Sequence, residues 1–235
     1  MAPKAAGHQL LVLFDIDGTL LRRAGPQHRE ALVEAVRRRT GLETTTDGIP
    51  VHGMLDPDIL RLMMRQAGAS HSLIRRSLPG IVASAQAIYV RRCPDLRRKV
   101  CPGVRRLLAR LAHMGVPMGL VTGNLTRIGW KKMERAGLRQ YFRFGAFGET
   151  GRTRAELVRH AVRLARSRGW IRPGARVWLI GDSPADVRAA RTAGVHVVAC
   201  LTGVCSREEL AAQSPDLLVD DLRDLRPEQL LSRSG

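Results

Sequence analysis

The chain has 235 residues, enough to bury one α/β core together with a smaller accessory unit. It carries 39 Lys and Arg against 21 Asp and Glu, and no apolar run approaches the roughly 20 residues that a membrane helix needs. Its four cysteines lack CxxC spacing and its first residues do not resemble a signal peptide, so we expect reduced thiols and a cytoplasmic protein with no membrane partner.

The first predicted strand is the apolar run Leu10–Phe14, which is followed by Asp15, Asp17 and Gly18. Five consecutive apolar residues indicate a strand buried on both faces, and Gly18 permits a sharp turn after it. Open α/β sheets bind ligands at the carboxyl ends of their strands. Because two neighbouring carboxylates repel without a cation or a shared proton, the pair predicts a reactive site. The alternative is an ordinary polar turn after a core strand.

The segment between residues 22 and 99 contains no comparable strand pattern. It shows helical apolar spacing in three places, Gln27–Arg39, Pro57–Gln66 and Ser77–Arg92. Pro94 and Pro102 interrupt this pattern before the strands resume. We therefore expect residues 22–99 to form a small helical unit inserted after the first strand, and residues 1–21 and 100–235 to form the main domain.

Helices and strands alternate from residue 100 onward. The predicted helices are Val104–Met114, Thr126–Ala136, Arg154–Arg168 and Ala185–Ala193. The predicted strands lie before Thr122, near Phe142–Ala146, before Asp182, at Val195–Cys200 and at Leu217–Asp220. This alternation predicts an α/β fold with a Rossmann-like, doubly wound parallel sheet covered by helices on both faces.

Two of these later strands end in residues whose side chains can bind phosphate or metal. Thr122 has a hydroxyl that can donate to a phosphate oxygen, Gly123 allows close backbone approach, and the helix from about Thr126 would direct its positive end at the same anion. Asp182 ends the other strand, and Ser183-Pro184 predicts a helix start. Helix capping is the alternative role of these acids, but three acids at strand ends, Asp15, Asp17 and Asp182, favour a metal site.

These segments, in this order, resemble the motifs of the haloacid dehalogenase-like (HAD) superfamily. The resemblance rests on Asp15-x-Asp17-Gly18-Thr19, on the run ending in Thr122-Gly123-Asn124, and on Asp182 with Asp186. It indicates the phosphoglycolate phosphatase-like branch, whose helical C1 cap corresponds to residues 22–99 and selects the substrate. It implies that Asp15 attacks a phosphoryl group and forms a phosphoaspartate. It also implies that Asp17 protonates the leaving oxygen and then activates water.

The resemblance further implies a Mg²⁺ cofactor and a set of binding residues. The metal would be held by Asp15, the backbone carbonyl of Asp17 and Asp182, with Asp186 orienting water or the cation. The transferring phosphoryl group would be held by Thr122, Gly123 and Asn124.

The family's usual third motif is the point of departure. Most relatives place a Lys before the fourth motif, but no Lys lies between Lys132 and Asp182. The segment Arg154-x-Glu156-Leu157 resembles a subgroup with Arg at this place, so Arg154 is the candidate and Arg152 the alternative. An Arg can supply the missing charge, and its fork suits phosphate oxygens. In a chain with 35 arginines, a solvated Arg at a helix start remains an open alternative.

We therefore expect a Mg²⁺-dependent phosphatase, a monomer or homodimer, that hydrolyses a small phosphorylated substrate such as phosphoglycolate or a sugar phosphate. A phosphosugar mutase of the same superfamily would use the same sites but return the phosphoryl group to its substrate. The net charge of +18 leaves open a nucleic-acid-binding protein. Its arginines are dispersed and only 4% of residues are aromatic, so we expect no nucleic-acid partner.

Overall fold

In the computed structural model, residues 7–22 and 25–232 are described. Within these ranges one sheet is formed by the strands β1 (His8–Phe14), β2 (Met118–Val121), β3 (Phe144–Ala146), β4 (Ile171–Gly181), β5 (His196–Cys200) and β6 (Leu217–Val219). Their order is β3-β2-β1-β4-β5-β6, and every neighbouring pair is parallel. The expected doubly wound α/β fold is confirmed.

Three helices separate β1 from the rest of the sheet. They are α1 (Gln27–Thr40), α2 (Asp56–Gln66) and α3 (His71–Arg92). The later helices are α4 (Val104–His113), α5 (Thr126–Ala136), α6 (Arg154–Ser167), α7 (Pro184–Ala193), α8 (Arg207–Ala211) and α9 (Pro227–Ser232). In the described part of the chain, no helix combines the length and apolarity needed to cross a membrane.

The apolar run of β1 separates two hydrophobic cores. Leu10, Val12 and Phe14 pack into the core that also contains residues of α1 to α5. Leu11 and Leu13 face the other core, which contains residues of α6 and α7. All five side chains are fully buried, which explains why the strand has no polar alternation.

The helix boundaries differ from the prediction mainly at α3, which begins at His71 rather than at Ser77. Ser70 caps it by accepting a hydrogen bond from the backbone N–H of Leu73. This first turn is largely exposed and therefore carries no apolar periodicity. The helices α8 and α9 were not predicted, because five and six residues are too few to show a helical repeat. Strand β4 starts earlier than predicted, at Ile171, with an exposed stretch that lacks an apolar run.

The sheet order brings three strand ends together. Strand β1 lies between β2 and β4, so the residues that follow these strands meet at one edge. The chain places β2 and β3 on one side of β1, and β4 to β6 on the other. This reversal of strand order opens a crevice at the carboxyl ends of the strands, where such sheets bind ligands.

Candidate active site

Three carboxylates meet in this crevice. Asp15 follows β1, Asp182 follows β4, and Asp186 lies in the first turn of α7. One carboxylate oxygen from each residue lies within 4.8 Å of the other two, and all three residues are buried. Negative charges this close are unfavourable without compensating cations, so the cluster has the donor set of a site for a hard metal ion.

Burial of these carboxylates, together with the repulsion between them, raises the pKa values of two of them. Burial raises the pKa of Asp15 to about 6, against the opposing effect of Arg154, and the charges of Asp186 and Asp17 add to the rise. Burial together with the charge of Asp15 also raises the pKa of Asp182 well above its ordinary value. Oδ1 of Asp15 is buried and accepts no hydrogen bond from the described residues. A metal ion would therefore satisfy an oxygen that has the Arg154 ion pair at 3.2 Å but accepts no hydrogen bond from the described residues.

Arg154 is the cation that the structure places beside these acids. Its Nη1 donates to Asp186 Oδ1 at 2.8 Å and lies 3.2 Å from Asp15 Oδ1. The residue is 9% exposed, because Thr153 caps α6 and Arg154 begins that helix next to the sheet edge. Arg152 is exposed, and its backbone N–H donates to Glu156 Oε2. Of the two arginines considered from the sequence, the structure brings only Arg154 to the cluster.

Asp186 is held by the protein through both carboxylate oxygens. Oδ1 accepts from Arg154, while Oδ2 accepts from the Ser183 hydroxyl at 2.6 Å and from the Ser183 backbone N–H at 3.2 Å. Ser183 is the N-cap of α7, as its position before Pro184 predicted. Asp182 accepts from the Thr19 hydroxyl through Oδ1 alone. Asp15 and Asp182 thus retain more free oxygens than Asp186.

The turn after β1 requires a glycine. Gly18 has φ +90°, and a Cβ there would lie 2.0 Å from Asp182 Oδ2. This close approach allows Asp17 and Asp182 to share one crevice although 165 positions separate them. A larger residue at position 18 would push the two acidic loops apart.

Thr122 and Asn124 form a hydrogen-bonded pair beside Asp17. The Thr122 hydroxyl accepts from the Asn124 side chain at 3.0 Å and from its backbone N–H at 3.3 Å. The Asn124 side chain also donates to Asp17 Oδ2 at 2.8 Å. Gly123 packs against the helical insertion, since a Cβ there would lie 2.0 Å from the carbonyl oxygen of Met54.

The start of α5 differs from the expectation that its amides face the anion. The backbone N–H of Leu125 donates to Asp56, and that of Thr126 donates to Glu149. The backbone N–H of Arg127 donates to Gln86. Protein side chains therefore already occupy these amides, which could not be foreseen because their partners come from distant segments.

Lys132 is the residue that sequence reasoning missed. Its Nζ lies 2.5 Å from Asp17 Oδ2, and the residue is 1% exposed. Burial acts to raise the pKa of Asp17, but the positive charge of Lys132 and the hydrogen bonds from Lys132 and Asn124 oppose it, and the pKa stays below its ordinary value. The available signal was the position of Lys132 on the buried face of α5, one turn after Ile128. The Asp17 side chain is 41% exposed and opens into the crevice.

This arrangement provides the groups needed for covalent phosphoryl transfer. It contains a buried carboxylate with one oxygen that accepts no hydrogen bond from the described residues, a second carboxylate that reaches solvent, a hydroxyl and two buried cations. A carboxylate is a competent nucleophile when its charge is balanced, and a nearby carboxyl group can transfer a proton.

Comparison with known proteins identifies a family and relatives that match most of the chain. The hydrolase family described as haloacid dehalogenase-like hydrolase matches residues 10–194. A phosphoglycolate phosphatase of Pseudomonas syringae pv. tomato is 30% identical over 227 residues, which cover 92% of this chain and 78% of that protein.

Solved structures share the fold at lower identity. CbbY from Rhodobacter sphaeroides in complex with phosphate has a TM-score of 0.68 at 20% identity, covering 92% of this chain and 95% of the other. A β-phosphoglucomutase (pgmB) from Clostridium difficile has a TM-score of 0.67 at 17% identity, covering 94% and 95%. At these identities the similarity concerns the fold.

Proposed function

The chain belongs to the haloacid dehalogenase-like hydrolase family and is a phosphatase, and from this premise we propose that it hydrolyses a small phosphorylated metabolite through a phosphoaspartate at Asp15. One observation carries the proposal: a buried nucleophile-type carboxylate, a proton-transfer carboxylate and a phosphate-binding hydroxyl lie at one sheet edge. These residues are Asp15, Asp17 and Thr122.

Mg²⁺ is the cofactor we propose for this edge. Asp15, Asp182 and the backbone carbonyl of Asp17 would hold it, with Asp186 beside them. The fit is supported by Oδ1 of Asp15, which accepts no hydrogen bond from the described residues, and by donors that are all oxygen atoms. When bound, the ion supplies positive charge that offsets the carboxylates and the phosphoryl oxygens. Asp186 is already saturated by Arg154 and Ser183, so we assign it an orienting role.

The proposed chemistry has two halves. In the first, Asp15 forms a bond to phosphorus while the bond to the leaving oxygen breaks. The protonated form of Asp17, a minor form near neutral pH because Lys132 lowers its pKa, donates a proton to that oxygen. In the second, Asp17 takes a proton from water, and the water oxygen attacks phosphorus while the bond from phosphorus to Asp15 breaks. Phosphate is released and Asp15 is again a carboxylate. The Thr122 hydroxyl accepts two bonds from Asn124, so its own hydrogen remains available to a phosphoryl oxygen.

We propose that residues 22–99 form a cap over residues 1–21 and 100–235. The two connections run side by side: Leu21 pairs with Val100, and the backbone N–H of Arg22 donates to the Lys99 carbonyl at 2.8 Å. Adjacent connections of this kind are suited to a hinge. Closure of the cap would exclude water and place its residues against the leaving group.

The substrate class that we propose is a small phosphorylated acid or sugar, with phosphoglycolate first. The support is that relatives about 30% identical over most of the chain are phosphoglycolate phosphatases. We propose the cytoplasm as the compartment, because the four cysteines are free thiols.

The test is phosphate release by the purified chain with Mg²⁺ from 2-phosphoglycolate, glucose 1-phosphate and p-nitrophenyl phosphate. We expect turnover of at least one substrate, a mass increase of one phosphoryl group on the trapped protein, and loss of both in Asp15→Asn. Asp47→Asn is the matched control, since Asp47 lies in an exposed turn. Normal turnover by Asp15→Asn would refute the nucleophile assignment.

The same assay separates the alternatives. Formation of glucose 6-phosphate from glucose 1-phosphate without free phosphate would identify a mutase instead. Salt-sensitive binding of DNA or RNA that persists in Asp15→Asn, together with no turnover, would identify a nucleic-acid-binding protein.

A further inference from the structure

We infer that Lys132, held from the cap by His28 and Asp56, positions Asp17 for proton transfer and thereby couples the catalytic carboxylate to docking of the cap. The inference rests on the proposed function, because it assigns Lys132 a role toward the general acid–base. It concerns residues on helices, outside the acidic ends of β1 and β4.

Lys132 is poorly explained by packing alone. It is 1% exposed and lies among apolar residues of α5, including Ile128 and Met133. An ion pair at a buried position usually adds little stability compared with an apolar side chain of similar size. A charged residue retained there therefore indicates a role for the charge, and its carboxylate partner is Asp17.

The hydrogen bonds around His28 have only one consistent direction. The Lys132 ammonium has no acceptor, so it donates to His28 Nδ1, 3.2 Å away. The remaining ring proton is then on Nε2, which donates to Asp56 Oδ2 at 2.9 Å. The ring of His28 also meets that of Tyr89 edge to face at 5.6 Å. His28 is thus fixed in one tautomer and one orientation, and it holds the ammonium beside Asp17.

This chain of contacts crosses from the cap to the main domain. His28 lies on α1 and Asp56 begins α2, whereas Lys132 lies on α5. Asp56 also accepts from the backbone N–H of Leu125 at 2.8 Å, and its own backbone N–H donates to the Gly123 carbonyl at 2.8 Å. Movement of the cap away from α5 would break these bonds together.

The contacts leave one oxygen of Asp17 for chemistry. Lys132 and Asn124 both donate to Oδ2, and no described residue donates to Oδ1. The carboxylate is therefore held with Oδ1 as the atom that exchanges a proton with the leaving group or with water. Because Lys132 depends on His28 for its own position, this orientation is complete only when the cap is docked.

The test compares kcat/KM of Lys132→Met on 2-phosphoglycolate and on p-nitrophenyl phosphate. The first leaving group requires a proton and the second departs readily without one, while kcat/KM reports only the half-reaction that forms the phosphoaspartate. We expect a loss of about 100-fold on 2-phosphoglycolate, in the range of general acid catalysis, and a much smaller loss on p-nitrophenyl phosphate. Lys132→Arg should restore part of the difference.

Lys131→Met is the matched control, because the adjacent Lys131 pairs with Glu134 at 2.7 Å and makes no contact with Asp17. It should behave as the wild type on both substrates. If Lys132→Met does not fold, His28→Gln replaces it and should show the same selective loss, at about tenfold.

Lys132→Met could lose kcat/KM equally on both substrates, or His28→Gln could do so if Lys132→Met does not fold. Either result would overturn the positioning role of Lys132, but it would not contradict the proposed phosphatase activity. Wild-type protein that releases no phosphate from any substrate would overturn the proposed function, and the inference with it. A selective loss in Lys132→Met together with an unchanged Lys131→Met would support the inference.

Discussion

Replacing Asp15 with Asn should stabilise the metal-free protein near neutral pH, although it abolishes turnover. Burial raises the pKa of Asp15 from 3.8 to about 6, so the ionised form is less favourable in the folded protein than in the unfolded chain. A difference of this size corresponds to roughly 3 kcal/mol of destabilisation at pH 7. This destabilisation falls as the pH drops through 6, because Asp15 then takes up a proton in the folded protein while it is still ionised in the unfolded chain. It is gone below about pH 4, where both states are protonated.

The stability that Asp15→Asn gains will be smaller than the full destabilisation caused by ionised Asp15. Asn at position 15 also removes a partner of Arg154, whose Nη1 lies 3.2 Å from Asp15 Oδ1. Arg154 keeps its hydrogen bond to Asp186 at 2.8 Å, so the guanidinium remains paired. We expect a gain of about 1–2 kcal/mol at pH 7.5, or roughly 2–8 °C in Tm for a chain of this length.

The assay is thermal unfolding of chelator-treated wild type, Asp15→Asn and Asp47→Asn between pH 5 and 8. The difference in Tm between Asp15→Asn and wild type should shrink as the pH falls toward 5. Excess Mg²⁺ should raise the Tm of the wild type more than that of Asp15→Asn. A metal-free Asp15→Asn protein that is less stable than wild type at pH 7.5 would refute the charge argument.

Four further substitutions test the other groups. Asp17→Asn should lower kcat/KM on 2-phosphoglycolate by about 100-fold or more and on p-nitrophenyl phosphate by less, measured by initial rates; equal losses would contradict an acid role. Arg154→Ala leaves Asp186 without its cation and should cost about 3–5 kcal/mol in the free energy of unfolding. Arg152→Ala should change the free energy of unfolding by less than about 0.5 kcal/mol. Both values come from denaturant titrations, and the reverse pattern would show that Arg152, and not Arg154, pairs with the buried acids. Gly123→Ala places a methyl group against the Met54 carbonyl and should lower kcat/KM roughly 100-fold by displacing the cap, whereas unchanged kinetics would exclude a tight fit there.

Much of the fold was predictable because its central strands are buried on both faces. The run from Leu10 to Phe14 has no polar residue, and only a strand inside a covered sheet explains five such residues before two acids. The strand order was not predictable, since it depends on which edges pair in space. The start of α3 at His71 was also hidden, because its first turn is exposed and depends on Ser70 as a cap.

The site shows a similar division. Asp15, Thr122 and Asp182 each end a strand, so the parallel sheet alone brings them to one edge. Lys132 and His28 lie on helices, and their meeting depends on how α1 of the insertion packs against α5. His28 and Lys132 are 104 positions apart, and neither this separation nor the residue types indicate that they are in contact.

The distribution of charge separates the chemistry of the site from the basicity of the chain. Of the described Lys and Arg residues, only Lys132 and Arg154 are buried, and each is paired with an acid of the crevice. Burying a charge is costly unless it is compensated. The excess of arginine therefore lies at partly or fully exposed positions, where it costs little. The two buried cations lie beside different acids. Arg154 is near Asp15, Asp182 and Asp186, whereas Lys132 pairs with Asp17. This difference gives Asp15 and Asp17 different electrostatic surroundings, which is what the proposed roles of nucleophile and proton-transfer group require of two carboxylates in one loop.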